Sequence, residues 1–157
     1  MKIRKAVCSE IGHVHKLINE YASRELMLPR SLNELYENLR DYYVCEVEKQ
    51  GIVGVCALHI LWEDLAEVKS LVVRDTVQRQ GIGRRLIDCC KEEAVNLGLG
   101  QVFALTYVKG FFTHIGFKEI DKALLPHKIW GDCIRCPKFP DCDEQAVIIK
   151  VKNAKND

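Results

Sequence analysis

The chain has 157 residues, 48% hydrophobic and 29% charged, with 23 Lys and Arg set against 22 Asp and Glu. A length of this order suits one ordinary domain that buries its core without staples, and a formal net charge of +1 creates no whole-molecule field toward nucleic acid or membrane. Eight cysteines would read as a disulfide framework in a secreted domain. However, the segment after Met1-Lys2-Ile3-Arg4-Lys5-Ala6 turns polar too soon for a signal core, and no apolar run approaches a membrane span, so a cytoplasmic protein with mostly reduced thiols is expected.

Ile3 to Val7 alternates like a first strand, and Ser9 then stands as the cap of a helix with Ile11, Val14, Leu17, Ile18 and Tyr21 on one face. The loop Glu25 to Arg30 is kept out of helix by Pro29, and Ser31 with Glu34 reads as a capping box for a helix over Leu32 to Arg40. Tyr43 to Glu48 and Val53 to Trp62 are strands joined at Gln50-Gly51. After a polar corner at Glu63-Asp64, a strand from Ala66 to Val73 leads to Gly81 and Gly83, then to a helix that Gly98 closes. Gln101 to Tyr107 is a buried strand, Gly110 to Ile115 a short helix, and Phe117 to Ile120 and Ala146 to Val151 are the last strands. The order predicts an α/β (α+β) fold with a mixed, mostly antiparallel sheet and helices on both faces.

The turn from Glu67 to Leu86 carries the most chemistry. The first N–H groups of a helix lack intrahelical partners and sit at the positive end of its dipole, so they attract an anion. Gly81 and Gly83 carry no side chain to hold a phosphate away, and Arg79, Arg84 and Arg85 add charge. Two other phosphate motifs are excluded by spacing: there is no Gly-x-x-x-x-Gly-Lys run, and no third glycine with a downstream acid. Two glycines alone would also fit an ordinary surface helix.

Gln78-Arg79-Gln80-Gly81-Ile82-Gly83 resembles the Gln/Arg-x-x-Gly-x-Gly/Ala signature of the GNAT N-acetyltransferase superfamily, and Phe111-Phe112-Thr113-His114-Ile115-Gly116-Phe117 is similar to its aromatic pair followed by Gly-Phe. The resemblance implies a single GNAT domain over residues 1–157, with a cysteine-containing insertion at 121–145 near the substrate side. It also implies a strand pair splayed around the cofactor turn. Acetyl-CoA would then be the co-substrate, its pyrophosphate on residues 78–84 and its pantetheine arm along Leu71, Val72 and Val73, with Phe112 on the wall.

Transfer to an amine needs a group to take the ammonium proton, donors for the oxyanion, and help for the departing thiolate. Glu67 matches the general base of N-acetylglutamate synthases; a solvated strand-end acid is the alternative. The superfamily's usual acid is a tyrosine where this chain has Phe112, so Thr106 or Tyr107 is left to supply a hydroxyl. Leu28 to Leu32, Asp64 to Glu67, Val102 to Tyr107 and Leu125 to Lys128 resemble the short bacterial N-acetylglutamate synthases without a kinase domain. That implies L-glutamate or a similar amino acid as the small-molecule partner, with a homodimer as a superfamily prior. Arg30, Lys109 and Lys128 are the cations that would grip its carboxylates.

Cys133, Cys136 and Cys142 with His127 could furnish thiolate and imidazole for a metal, but the spacing fits no zinc module well. A disulfide, an exposed redox thiol and ordinary loop packing stay open, and no metal ligand is assigned. The non-enzymatic alternative is an acyl-CoA-binding sensor that reads metal or redox state through these cysteines.

Overall fold

The computed structural model describes residues 1–125 and 144–151; His127, Lys128, Cys133, Cys136 and Cys142, and most of the expected insertion, lie outside them. The strands are β1 (Lys2–Lys5), β2 (Tyr42–Val47), β3 (Gly51–Trp62), β4 (Leu65–Val73), β5 (Gln101–Thr106), β6 (Lys118–Ile120) and β7 (Gln145–Lys150). They lie in the order β1-β2-β3-β4-β5-β7-β6, antiparallel except where β4 meets β5. The helices are α1 (Ile11–Ala22), α2 (Leu32–Glu37), α3 (Ile82–Asn96) and α4 (Lys109–His114).

The α1 face foreseen from periodicity and the buried face of α3 form the two main cores. Ile11, Val14, Leu17, Ile18 and Tyr21 of α1 pack with Leu35 of α2 on Tyr42, Val44, Val55, Ala57 and Val72. Across the sheet, Ile82, Leu86, Ile87, Cys90 and Ala94 of α3 cover Cys45, Val53, Cys56, Leu58 and Val68. Leu65, Phe103, Leu125 and Ala146 make a third cluster, where β4, β5 and β7 run side by side. Cys45, Cys56 and Cys90 are buried, Cys89 is half-buried, and Cys8 is exposed.

Local chemistry moved several ends. Ser9 caps nothing: Cys8–Glu10 coil into a 3-10 turn, and the Glu10 carboxylate accepts the Val7 N–H at 2.9 Å. That acceptor is charged and already clamped by Arg4 at 2.8 and 2.6 Å, which fixes the 3-10 turn and leaves Glu10, not Ser9, at the start of α1. Ser31 does cap α2, its Oγ accepting from Glu34 N at 3.1 Å. The helix stops at Glu37 rather than Arg40, because Asn38 Nδ2 donates back to the Glu34 carbonyl at 2.8 Å and a second 3-10 turn, Leu39–Asp41, leads into β2.

One irregularity positions the site. Val55 pairs with Val72 and Ala57 with Lys69, so Ser70 and Leu71 together oppose Cys56. This is a β-bulge, and Ser70 takes a left-handed φ of 57° to make it. Strand β4 pairs with β5 only through Leu65↔Gln101, Ala66↔Val102 and Glu67↔Phe103. Beyond Glu67 the strands part, because β5 stays registered with β7 along its whole length, from Gln101↔Lys150 to Thr106↔Gln145, while β4 bends with its bulge. The splay implied by the resemblance is present.

Candidate active site

A cleft of about 420 Å³ occupies the gap. One wall is Val68 to Val73, the opposite wall is Ala104 to Val108 with Phe112, and Leu26, Met27, Leu28 and Arg30 close the side under α1. Glu67 lies in it, in the last β4–β5 pair, and only 9% of the residue is exposed. It stands at the closed end of the gap rather than at a frayed strand start, because β4 begins two residues earlier and both flanking strands pair here. A solvated strand-end acid is therefore not what the structure contains.

Thr106 is buried, and its Oγ accepts the Val108 N–H at 2.8 Å. With that lone pair engaged, the hydroxyl proton is left to be donated elsewhere. Tyr107 lines the same wall. Phe112 is buried between Phe111 and Phe117 in edge-to-face contacts, with centroids 5.2 and 5.1 Å apart. Its ring closes the cleft and packs the core at once.

The helix α3 opens at Gly81, whose φ of 80° is left-handed. Arg79 is also left-handed, at 66°, and this alternation curls the chain so that N–H groups turn toward one side. An added Cβ at Gly81 would meet nothing within 4 Å, whereas at Gly83 it would lie 3.3 Å from Phe111 Cζ. Gly83 thus lets α3 sit close on α4, a packing reason the sequence did not reveal. Gln78 braces the turn, its Nε2 donating to the Val73 carbonyl at 2.9 Å and to Asp75 at 3.1 Å. Arg79, Gln80 and Arg84 are exposed around the turn, and the Ile82 side chain belongs to the core, leaving its backbone N–H to the turn.

Arg30 lines the cleft with its side chain 8% exposed. Its backbone is pinned from both sides, N–H to Asn19 Oδ1 at 3.2 Å and Asn19 Nδ2 to its carbonyl at 2.9 Å, and Glu34 meets its guanidinium at 3.2 Å. Lys109 does not converge on the cleft. It is the first residue of α4 rather than part of a loop, and its ammonium reaches Glu119 of β6 at 3.0 Å. Tyr21 is the core residue of α1 that periodicity predicts, and it also lines the cleft, its hydroxyl accepting the Asp75 N–H at 2.8 Å, a role the spacing did not show.

A strand with one open edge, a bulge in its middle and a glycine turn leading to a helix is the frame of an acyl-CoA transferase, and residues 37–119 match the acetyltransferase (GNAT) domain family. The chain belongs to the GNAT acetyltransferases. An uncharacterized N-acetyltransferase of Chlorobaculum tepidum is 36% identical over 93% of this chain and 94% of its own. An amino-acid acetyltransferase of Mycobacterium tuberculosis is 32% identical over 85% of this chain and 77% of its own. Among solved structures, a Mycobacterium tuberculosis protein in complex with CoA superposes with a TM-score of 0.81 at 26% identity, over 97% of this chain and 100% of that one. The N-acetylglutamate synthase of Neisseria gonorrhoeae, complexed with CoA and N-acetyl-glutamate, superposes at 0.88 with 23% identity, over 97% of this chain and 35% of that one, and supports the fold alone. No helix of this acetyltransferase is long and apolar enough to cross a membrane, and no cluster of three metal-ligating side chains occurs, both among the described residues.

Proposed function

We propose that this acetyltransferase moves the acetyl group of acetyl-CoA to the α-amino group of an amino acid, L-glutamate foremost, the first step of arginine biosynthesis. The observation that carries the reading is the buried carboxylate of Glu67 at the closed end of the β4–β5 cleft, in one cavity with Arg30 and Thr106. The relative named amino-acid acetyltransferase supports the acceptor class. The solved neighbour holding CoA supports the donor.

Each group has a task. The open edge at Leu71 to Val73 offers backbone partners to the pantetheine amides, and the N–H groups opening α3 receive the diphosphate. Acetyl-CoA brings an acetyl already activated as a thioester. Glu67 takes a proton from the incoming ammonium, directly or through water, so that the free amine attacks the carbonyl carbon. The N–H of Val72 or Val73 donates to the carbonyl oxygen as it gains charge. Thr106 hydrogen-bonds the departing sulfur, with Tyr107 as the other hydroxyl on that wall. Arg30, nearly dry, suits a bidentate grip on a substrate carboxylate. A cytoplasmic setting fits a reaction between these two metabolites.

The test is release of free CoA from acetyl-CoA with each of the twenty amino acids. Release with glutamate that falls about 10²- to 10⁴-fold in Glu67→Gln, at unchanged acetyl-CoA affinity, bears the proposal out. Saturable acetyl-CoA binding with no release under any acceptor refutes it and leaves a binding protein.

A further inference from the structure

The proposed reaction produces a proton that must leave. An ammonium gives up two protons on becoming an amide nitrogen: one ends on the CoA thiol and one passes to solvent. Glu67 holds the second, yet it is only 9% exposed. The register places His59 of β3 directly across from Glu67, and such cross-strand side chains stand about 4.5–5.5 Å apart at Cβ on one face of the sheet. His59 Nδ1 is 2.7 Å from Asp41 Oδ2, at the end of the turn leading into β2, and the two side chains are 32% and 23% exposed. The chain from buried acid to imidazole to anion therefore runs from the cleft toward water.

We propose that His59, oriented by Asp41, is a positioning and relay residue that accepts the proton of Glu67 and releases it to solvent, resetting the base for the next turnover. The inference rests on the reading of Glu67 as the base. In the resting state Nδ1–H is donated to Asp41, which leaves Nε2 as the ring's acceptor. The Glu67 carboxyl O–H bond breaks as a bond to Nε2 forms, directly or through one water, giving an imidazolium beside Asp41. That cation then loses its Nε2 proton to solvent, with no change of oxidation state at any step.

The charged and titratable groups packed around His59 on this face, among the described residues, are Asp41, Tyr42, Glu67 and Lys69, with Arg30 and Glu34 reaching it from the start of α2. Their influence meets at buried Tyr42, which feels the charges of Arg30, Glu34 and Asp41. His59 is the residue of this set that is both opposite Glu67 and open to water.

The experiment uses the full chain, acetyl-CoA and whichever amino acid gives the fastest CoA release. Steady-state kinetics are followed from pH 5.5 to 9 for wild type, His59→Gln, Asp41→Asn and Glu67→Gln. A glutamine can still donate to Asp41, so His59→Gln keeps the local contact, and Asp41→Asn stands as a second variant. The relay predicts that kcat falls about tenfold or more in His59→Gln, with KM for acetyl-CoA within about twofold, and that in a further variant, His59→Ala, added imidazole restores part of the loss. In Asp41→Asn the ring loses the acceptor that fixes its tautomer at 2.7 Å, so kcat falls in the same direction as in His59→Gln while KM for acetyl-CoA stays within about twofold. Wild-type kcat and pH profiles in His59→Gln and Asp41→Asn, with Glu67→Gln inactive, overturn the relay alone. No turnover in wild type, or turnover untouched by Glu67→Gln, overturns the role of Glu67 and the relay with it.

Discussion

The two edges of β4 meet different fates. Along one edge β3 pairs with it from Leu65 to Val73; along the other β5 holds it for three residues and then leaves. At the closed end, Phe103 and Leu65 are buried in a dry cluster with Leu125 and Ala146. At the open end, the edge from Val68 to Val73 faces a cavity. Side-chain burial on the faces and the β3 ladder make the strand stable, which frees the second edge to offer backbone groups to a ligand.

Substitutions can break or sharpen this division. Phe103→Ala, at a site with no exposure, should cost about 3–5 kcal/mol of stability in denaturant unfolding, with little change in KM for acetyl-CoA while the protein stays folded. Lost acetyl-CoA affinity in that folded fraction would show that Phe103 holds the cofactor wall as well as the core. In the open half the balance should reverse: Thr106→Val should lower kcat about tenfold while costing about 1 kcal/mol for the Val108 N–H it strands. A stability loss without a kinetic one would make Thr106 a strand-end brace only. Gly81→Ala meets no clash, so its cost is the left-handed backbone, about 1 kcal/mol, seen as a lower melting temperature together with a raised KM for acetyl-CoA.

The smallest effect belongs to neither edge and serves as a control. Arg4 holds the Glu10 carboxyl below its ordinary value, first through the side-chain hydrogen bond. A depressed carboxyl stabilises the fold above its unfolded-state value of about 4.3 and loses that contribution as pH falls through the lower, folded value. Thermal melts should therefore show an acid-sensitive increment under about 1 kcal/mol that disappears in Arg4→Gln, and kcat should be unmoved by that substitution. A kinetic effect would mean that β1, at the far edge of the sheet, is coupled to the cleft.

Much of the fold was legible because it rests on periodicity. The five apolar positions of α1 fell on one face and are all buried, and each expected strand exists to within a few residues. Ends were harder: Ser9 and Arg40 were misjudged since neighbouring side chains claimed the backbone groups there, the Glu10 carboxylate accepting the Val7 N–H and the Asn38 amide donating to the Glu34 carbonyl. Of the proposed site, Glu67, Leu71 to Val73, Gln78, Thr106, Tyr107, Phe112 and Arg30 do share one cleft, but Lys109 found Glu119 instead. The His59–Asp41 pair lay hidden, although a hairpin counted back from Glu63-Asp64 brings His59 to within a residue of facing Glu67.

The order of residues by itself determined the elements, the buried faces and the glycine turn, because apolar spacing and backbone freedom are local properties that a short window contains. It could not determine where β5 would leave β4, which acid would be dried, or which cation would turn away. Those outcomes depend on a bulge in one strand and on the competing register of β7, contacts between segments far apart in the chain that exist only once the sheet has assembled.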